Sequence, residues 1–187
     1  MTGKIKRIGL TLGLFSTIIS FLFFGRDQGT YQILLLSGLF VSLIFYLTIL
    51  FGNETTKLKI IWTLVIVLAG AIQWLTEPIL IKSSYLIYLN SNDKELATVN
   101  NILKDKPGEI SILNDDIIDK TNLLSQSEKD SLIKLLQDLN VYMITKTEDG
   151  IYYGLWGFLD VRLGITYWTN SEMPNENYRQ LKDKWYH

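Results

Sequence analysis

Three long apolar runs in the first 82 residues constrain this chain more than any other feature. A bilayer core about 30 Å thick is crossed by about 20 apolar residues of helix. Ile8 to Phe24 supplies 17 residues without a charge, and Tyr31 to Phe51 supplies 21. Ile60 to Ile81 supplies 22, interrupted by Gln73, Glu77 and Pro78. A soluble core can hide one such helix but not three in succession. The sequence therefore predicts a three-helix transmembrane region over 1–82, with spans at about 8–24, 31–51 and 60–81. A water-exposed domain over 83–187 follows.

The charge distribution separates the same two parts. Residues 1–82 hold seven Lys/Arg and three Asp/Glu, whereas residues 83–187 hold eleven and sixteen, a net charge of −5. A mildly acidic domain without a clustered basic face argues against a nucleic-acid partner. The absence of cysteine excludes disulfides, thiolate nucleophiles and Cys-ligated metals.

Lys4, Lys6 and Arg7 precede the first span, as in a secretory signal. Its end, Phe23-Phe24-Gly25-Arg26-Asp27, lacks the small-residue cleavage pattern, and a second span follows at once. An uncleaved signal anchor is the expected outcome. Lys4, Lys6, Arg7, Lys57 and Lys59 fall on one side of the membrane, Arg26 and Lys82 on the other. That asymmetry places the N-terminus in the cytoplasm of a cell-membrane protein and the C-terminal domain outside it.

Helices in lipid associate through close packing of small residues. Gly9, Gly13, Ser16 and Ser20 share one face of the first span, Gly38 and Ser42 lie in the second, and Thr63, Gly70 and Gln73 in the third. They predict a compact three-helix bundle, and the Gly9/Gly13/Ser16/Ser20 face is also a candidate contact for a second copy. Gln73 and Glu77 form a candidate intramembrane polar site on one face of span three. Counted from Ile60, Glu77 lies about 25 Å along the helix, near the far headgroups, where a carboxylate costs far less than at mid-bilayer. Pro78 beside it reads as a helix end or kink.

Beyond Lys82 the periodicity changes. Ser84 to Leu89 reads as a first strand or as a continuation of the third helix. Asn92 or Asp93 opens a helix to about Lys104, ended by Pro107-Gly108. Glu109 to Leu113 suits a short strand, and Ser125-Gln-Ser-Glu128 is a capping box for a second helix. Val141–Thr147 and Ile151–Phe158 form a hairpin across Glu148-Asp149-Gly150, with Gly150 expected at positive φ. Val161–Trp168 follows, and the tail offers an edge strand. The fold class expected is a three-helix membrane anchor followed by a small α+β domain, two helices packed on a mostly antiparallel sheet.

Chemistry is sparse. The one histidine is His187, which removes the Ser-His-Asp pattern and most zinc sites. No phosphate loop, dinucleotide glycine pattern or calcium loop occurs. Neither a cofactor nor a resident metal is expected, and catalysis is disfavoured. Asn114, Asp115, Asp116 and Asp119 crowd oxygen ligands together, but as in a solvated turn. The Asp160/Arg162 pair suits a structural ion pair.

Ten of the last 46 residues are aromatic. In the hairpin, Tyr152, Trp156 and Phe158 are expected on one face and Tyr153 and Leu155 on the other. Tyr152, Trp156, Phe158 and Trp168 are thus the candidate partner-binding residues, since Trp and Tyr dominate interface hot spots, with burial as the competing outcome. The function expected is that of a multi-pass membrane protein whose extracytoplasmic domain binds another protein, as an accessory subunit or immunity-type factor. The rivals are a membrane-anchored sensor or small-ligand module, distinguished by a pocket between sheet and helices, and an enzyme or carrier built on Glu77 and Gln73.

Overall fold

The computed structural model describes residues 3–113, 116–119, 122–158, 161–170, 174 and 178–187. Two compact units divide the chain, Met1–Ser84 and Tyr85–His187. Three helices are long and apolar enough to cross a membrane. A seven-stranded antiparallel sheet with helices follows them, in agreement with the fold class expected from the sequence.

In the first unit, α1 (Gly3–Ser20), prolonged by a 3-10 turn over Phe21–Phe23, and α2 (Gln28–Leu50) form a tight antiparallel hairpin. Glycine makes the approach feasible. A Cβ on Gly13 would stand 2.4 Å from Ser42 Oγ, one on Gly38 2.8 Å from the Gly13 carbonyl oxygen, and one on Gly9 2.3 Å from the Phe45 ring. The Ser16 hydroxyl adds a bond to the Leu34 carbonyl at 3.0 Å. The stripe proposed for a second copy is thus occupied, at Gly9, Gly13 and Ser16, by α2 of the same chain. At one end of the hairpin Lys6 donates to the Thr48 carbonyl at 3.0 Å and pairs with Glu54 at 3.4 Å. At the other, Asp27 caps α2, accepting from Thr30 N at 3.0 Å and from the Thr30 hydroxyl at 2.6 Å. Those bonds from Thr30 hold the Asp27 carboxyl below its ordinary pKa.

The helix α3 (Thr56–Ser91) runs for 36 residues, about 54 Å. It passes through Pro78 instead of ending there. Proline removes one backbone bond, whereas ending the helix there would leave its last four carbonyls without helical partners. Ser84–Leu89 is likewise helix and not a strand. Ser84, Tyr85, Tyr88 and Leu89 are buried, and that spacing is one helical face. The expected close seam along span three is absent among the described residues. Nothing lies within 4 Å of a Cβ at Gly70, and α3 meets the hairpin through a Tyr46–Thr63 hydroxyl contact at 3.1 Å and a bond from Gly25 N to Ser84 Oγ at 2.8 Å.

In the second unit the helices are α4 (Asp93–Leu103) and α5 (Gln126–Asp138). Asn92 stands at the N-cap of α4, but its side chain makes no cap bond there and donates back to the Tyr88 carbonyl at 2.9 Å. The capping box of Ser125 and Glu128 opens α5 as the sequence predicts. The strands are β1 (Ile110–Leu113), β2 (Asp116–Asp119), β3 (Met143–Lys146), β4 (Gly150–Phe158), β5 (Val161–Trp168), β6 (Gln180–Lys182) and β7 (Trp185–Tyr186), in the order β2-β1-β3-β4-β5-β7-β6. The tail supplies two strands instead of one, and β2 holds Asp116 and Asp119 of the acidic stretch read as a turn.

Gly150 is needed for a reason other than the one expected. The positive-φ residues described are Gly108, Asn122, Asn140 and Asp183. Gly150 instead begins β4 with its α-carbon so close to β5 that a Cβ would meet the Tyr167 carbonyl oxygen at 2.4 Å.

The domain core lies on one face of the sheet. Ile110, Ile112, Ile144, Ile151, Tyr153 and Ile165 are each fully buried there. They meet Leu96, Val99 and Leu103 of α4 and Leu132 and Leu136 of α5, all at most 5% exposed. Each buried aliphatic side chain contributes about 1.5–3 kcal/mol. Tyr88 ties the end of α3 to this core by donating to the Leu139 carbonyl at 2.8 Å. The Lys146 stem is buried at the sheet margin while its ammonium donates to the Gly108 carbonyl at 3.1 Å.

Candidate functional site: the two faces of the sheet

A β-bulge decides where the hairpin aromatics point. Gly154 pairs with Gly164, but Trp156 pairs with Leu163, so Leu155 is an extra residue opposite no partner. Because side chains alternate along a strand, one extra residue reverses every assignment beyond it. Tyr152 stays on the outer face, away from the helices, opposite Thr145 and Thr166. Trp156, paired with Leu163, moves to the helix-covered face with Tyr153 and Ile165. The expectation that Tyr152 and Trp156 share a face is therefore corrected. Phe158 pairs with Val161, but its side chain, like the Asp160/Arg162 pair, lies outside the described residues.

The aromatic set is thus split. On the inner face the Trp185 ring lies 5.6 Å from Tyr153 and 5.2 Å from Tyr167. On the outer face Trp168 lies 5.5 Å from Tyr178 and 6.2 Å from Tyr186. The outer glycines make room for rings laid on the sheet. A Cβ on Gly154 would meet the Tyr142 ring at 2.7 Å, one on Gly157 the Tyr142 hydroxyl at 2.9 Å, and one on Gly164 the Tyr152 ring at 2.7 Å. Gly154 and Gly164 thus carry tyrosine rings laid over them.

Beside Tyr142 the outer face carries an apolar groove of about 310 Å³, lined by Ser111, Leu113, Ile118, Tyr142, Met143 and Gly157. Leu113 is 45% exposed and Ile118 54%, high values for aliphatic side chains on a sheet. Sequence reasoning missed this groove because β2 was not foreseen. The alternation Asp116-Ile117-Ile118-Asp119 was its available signal.

The acidic stretch has a local structural role. Asp119 accepts from Leu124 N at 2.9 Å, clamping the turn that leads into α5. Lys106 donates to the Leu123 carbonyl at 3.1 Å and pairs with Glu128 at 2.8 Å. The bond from Lys106, with those from Ser125, holds the Glu128 carboxyl at about 2. Asn114 and Asp115 lie outside the described residues. Among those described, no group of three acidic or imidazole side chains is placed to hold a metal.

In the first unit Gln73 and Glu77 share a half-buried face of α3. The Gly25–Ser84 bond marks the level of the α1–α2 turn. Seven residues separate Glu77 from Ser84, so Glu77 lies about 10 Å along the helix from that level.

No protein-family model matches the chain, and no characterised protein or solved structure shows significant similarity to it.

Proposed function

We propose that this is a multi-pass cell-membrane protein whose C-terminal domain lies outside the cytoplasm and binds another protein there, as an accessory subunit of an envelope complex or an immunity-type factor. The observation that carries the reading is the apolar groove on the outer sheet face, with Leu113 and Ile118 largely exposed beside it. Exposed aliphatic side chains around a groove are a characteristic of protein-interaction sites, and Tyr142 in the groove lining suits a hot spot. The close seating of Gly13 against Gly38 and Ser42 supports a first helix that is retained as a signal anchor. The excess of Lys/Arg on the N-terminal side supports the orientation.

The test is site-specific photocrosslinking in cells, with a benzophenone amino acid at Ile118 and, as control, at Thr98 on the exposed side of α4. The reading requires one discrete adduct from position 118, absent from position 98 and lost in Leu113→Ser. Equal, diffuse labelling from both positions would refute it.

A further inference from the structure

On the opposite side of the same sheet a second, polar cleft of about 220 Å³ opens between α4 and the strands β5 and β7. Its floor is Leu96 and Asn100, its wall Tyr167 and Trp185, and its rim Asp93, Asn101 and Lys104. The α4 residues fall at 93, 96, 97, 100, 101 and 104, the spacing of a single helical face. The cleft is therefore a straight trough along α4, about 16 Å from Asp93 to Lys104.

Three features restrict what it can hold. Asn100 is only 7% exposed, and its Oδ1 already accepts from the Tyr153 hydroxyl at 2.7 Å. Its amide N–H groups have no acceptor among the described residues and are what Asn100 offers to the cleft. An occupant with acceptors above the floor pairs with these donors. Second, the charged rim groups are one acid and one base at opposite ends, neither in an ion pair among the described residues. The trough is electrically balanced and takes a neutral ligand. Third, the half-buried rings of Tyr167 and Trp185 present apolar surface to the cleft, while Asn101 and Asp93 offer acceptors for hydroxyl or amide donors.

We infer that this trough is a binding site for a neutral saccharide, a ligand class that combines hydroxyls serving as both donors and acceptors with a C–H face for the aromatic wall. Asn100 hydrogen-bonds a hydroxyl or ring oxygen, Trp185 carries the C–H face, and Asn101 and Lys104 close over the exposed edge. A peptide would meet the amide donors equally well, but the aliphatic surface in the trough is limited to Leu96 and Ala97. The site lies across the sheet from the partner groove and does not depend on it.

The experiment is saturation-transfer NMR on the full chain in lipid nanodiscs, which avoids the sugar headgroups of maltoside detergents. The probes are glucose, galactose, N-acetylglucosamine and, as rival, alanyl-alanine. Saturation is expected at ring C–H protons of at least one sugar, weakened about tenfold in Asn101→Ala/Lys104→Ala, the loss of one or two ligand hydrogen bonds. Those rim residues are exposed, so the variant keeps its core, and Lys134→Ala on the exposed side of α5 is expected to bind as the parent does. Absence of transfer from all three sugars, transfer undiminished in the rim variant, or transfer to alanyl-alanine alone would each overturn the assignment. Failure of the photocrosslinking at Ile118 leaves this result unaffected, so the two readings fail separately.

Discussion

The Tyr153 hydroxyl donates to Oδ1 of Asn100 across 2.7 Å, joining the central strand of the sheet to the middle of α4 inside the core. Burial pushes the ionisation of that hydroxyl well above an ordinary tyrosine's, so it stays a donor throughout the neutral range. Tyr153→Phe strands the Asn100 oxygen and is expected to destabilise the domain by about 1–3 kcal/mol. Denaturant unfolding of the single variants and of Tyr153→Phe/Asn100→Leu measures the coupling. Strict additivity of the two would show that the bond contributes nothing.

Two glycines of opposite surroundings give a paired test of packing. A Cβ on Gly164 would sit 2.1 Å from the Tyr153 carbonyl oxygen, whereas one on Gly70 meets nothing within 4 Å. Gly164→Ala is expected to cost about 2 kcal/mol or more by separating β4 from β5. Gly70→Ala is expected to be neutral or to gain up to about 1 kcal/mol of helix stability. Thermal unfolding in one detergent ranks the two.

The Glu128 carboxyl makes the domain acid-sensitive in a definite direction. Its pKa is lowered from 4.5 to about 2 in the folded chain, first by the bond from Lys106. A depressed carboxyl contributes stability that is complete above its unfolded value and disappears as pH falls toward the folded one. The unfolding midpoint should therefore drop between about pH 4.5 and pH 2. Glu128→Gln should show a shallower drop over that window, and an identical pH profile would remove Glu128 from the account.

The native chain has no cysteine, so single introduced thiols report topology without background. Thr98→Cys should react with a membrane-impermeant maleimide in intact cells, and Lys57→Cys only after lysis. The reverse pattern would invert the proposed orientation.

Much of the fold was legible because its signals are local. The capping box at Ser125 and Glu128, the apolar spacing of α4 and the strands β3, β4 and β5 are each written within a few residues. Ser84–Leu89 was ambiguous for a physical reason: a short apolar run suits either state until a neighbour selects a face, and here burial of Tyr85, Tyr88 and Leu89 selects the helix. The candidate site was read less well. Leu155 looks like any strand residue, yet as a bulge it sends Trp156 to the face opposite Tyr152.

Sequence alone determined the two-part plan. Bilayer thickness sets a length that only a long apolar run can meet, and such runs can be counted without coordinates. It also determined the glycine and serine stripe of α1, since closely packed helices in lipid need small side chains. Tertiary structure decided which element uses that stripe, namely α2 of the same chain, because a contact between residues 13 and 38 depends on how the chain turns. It likewise decided that the aromatics divide between two faces, because strand register is a property of a pair of strands and one unpaired residue reverses it.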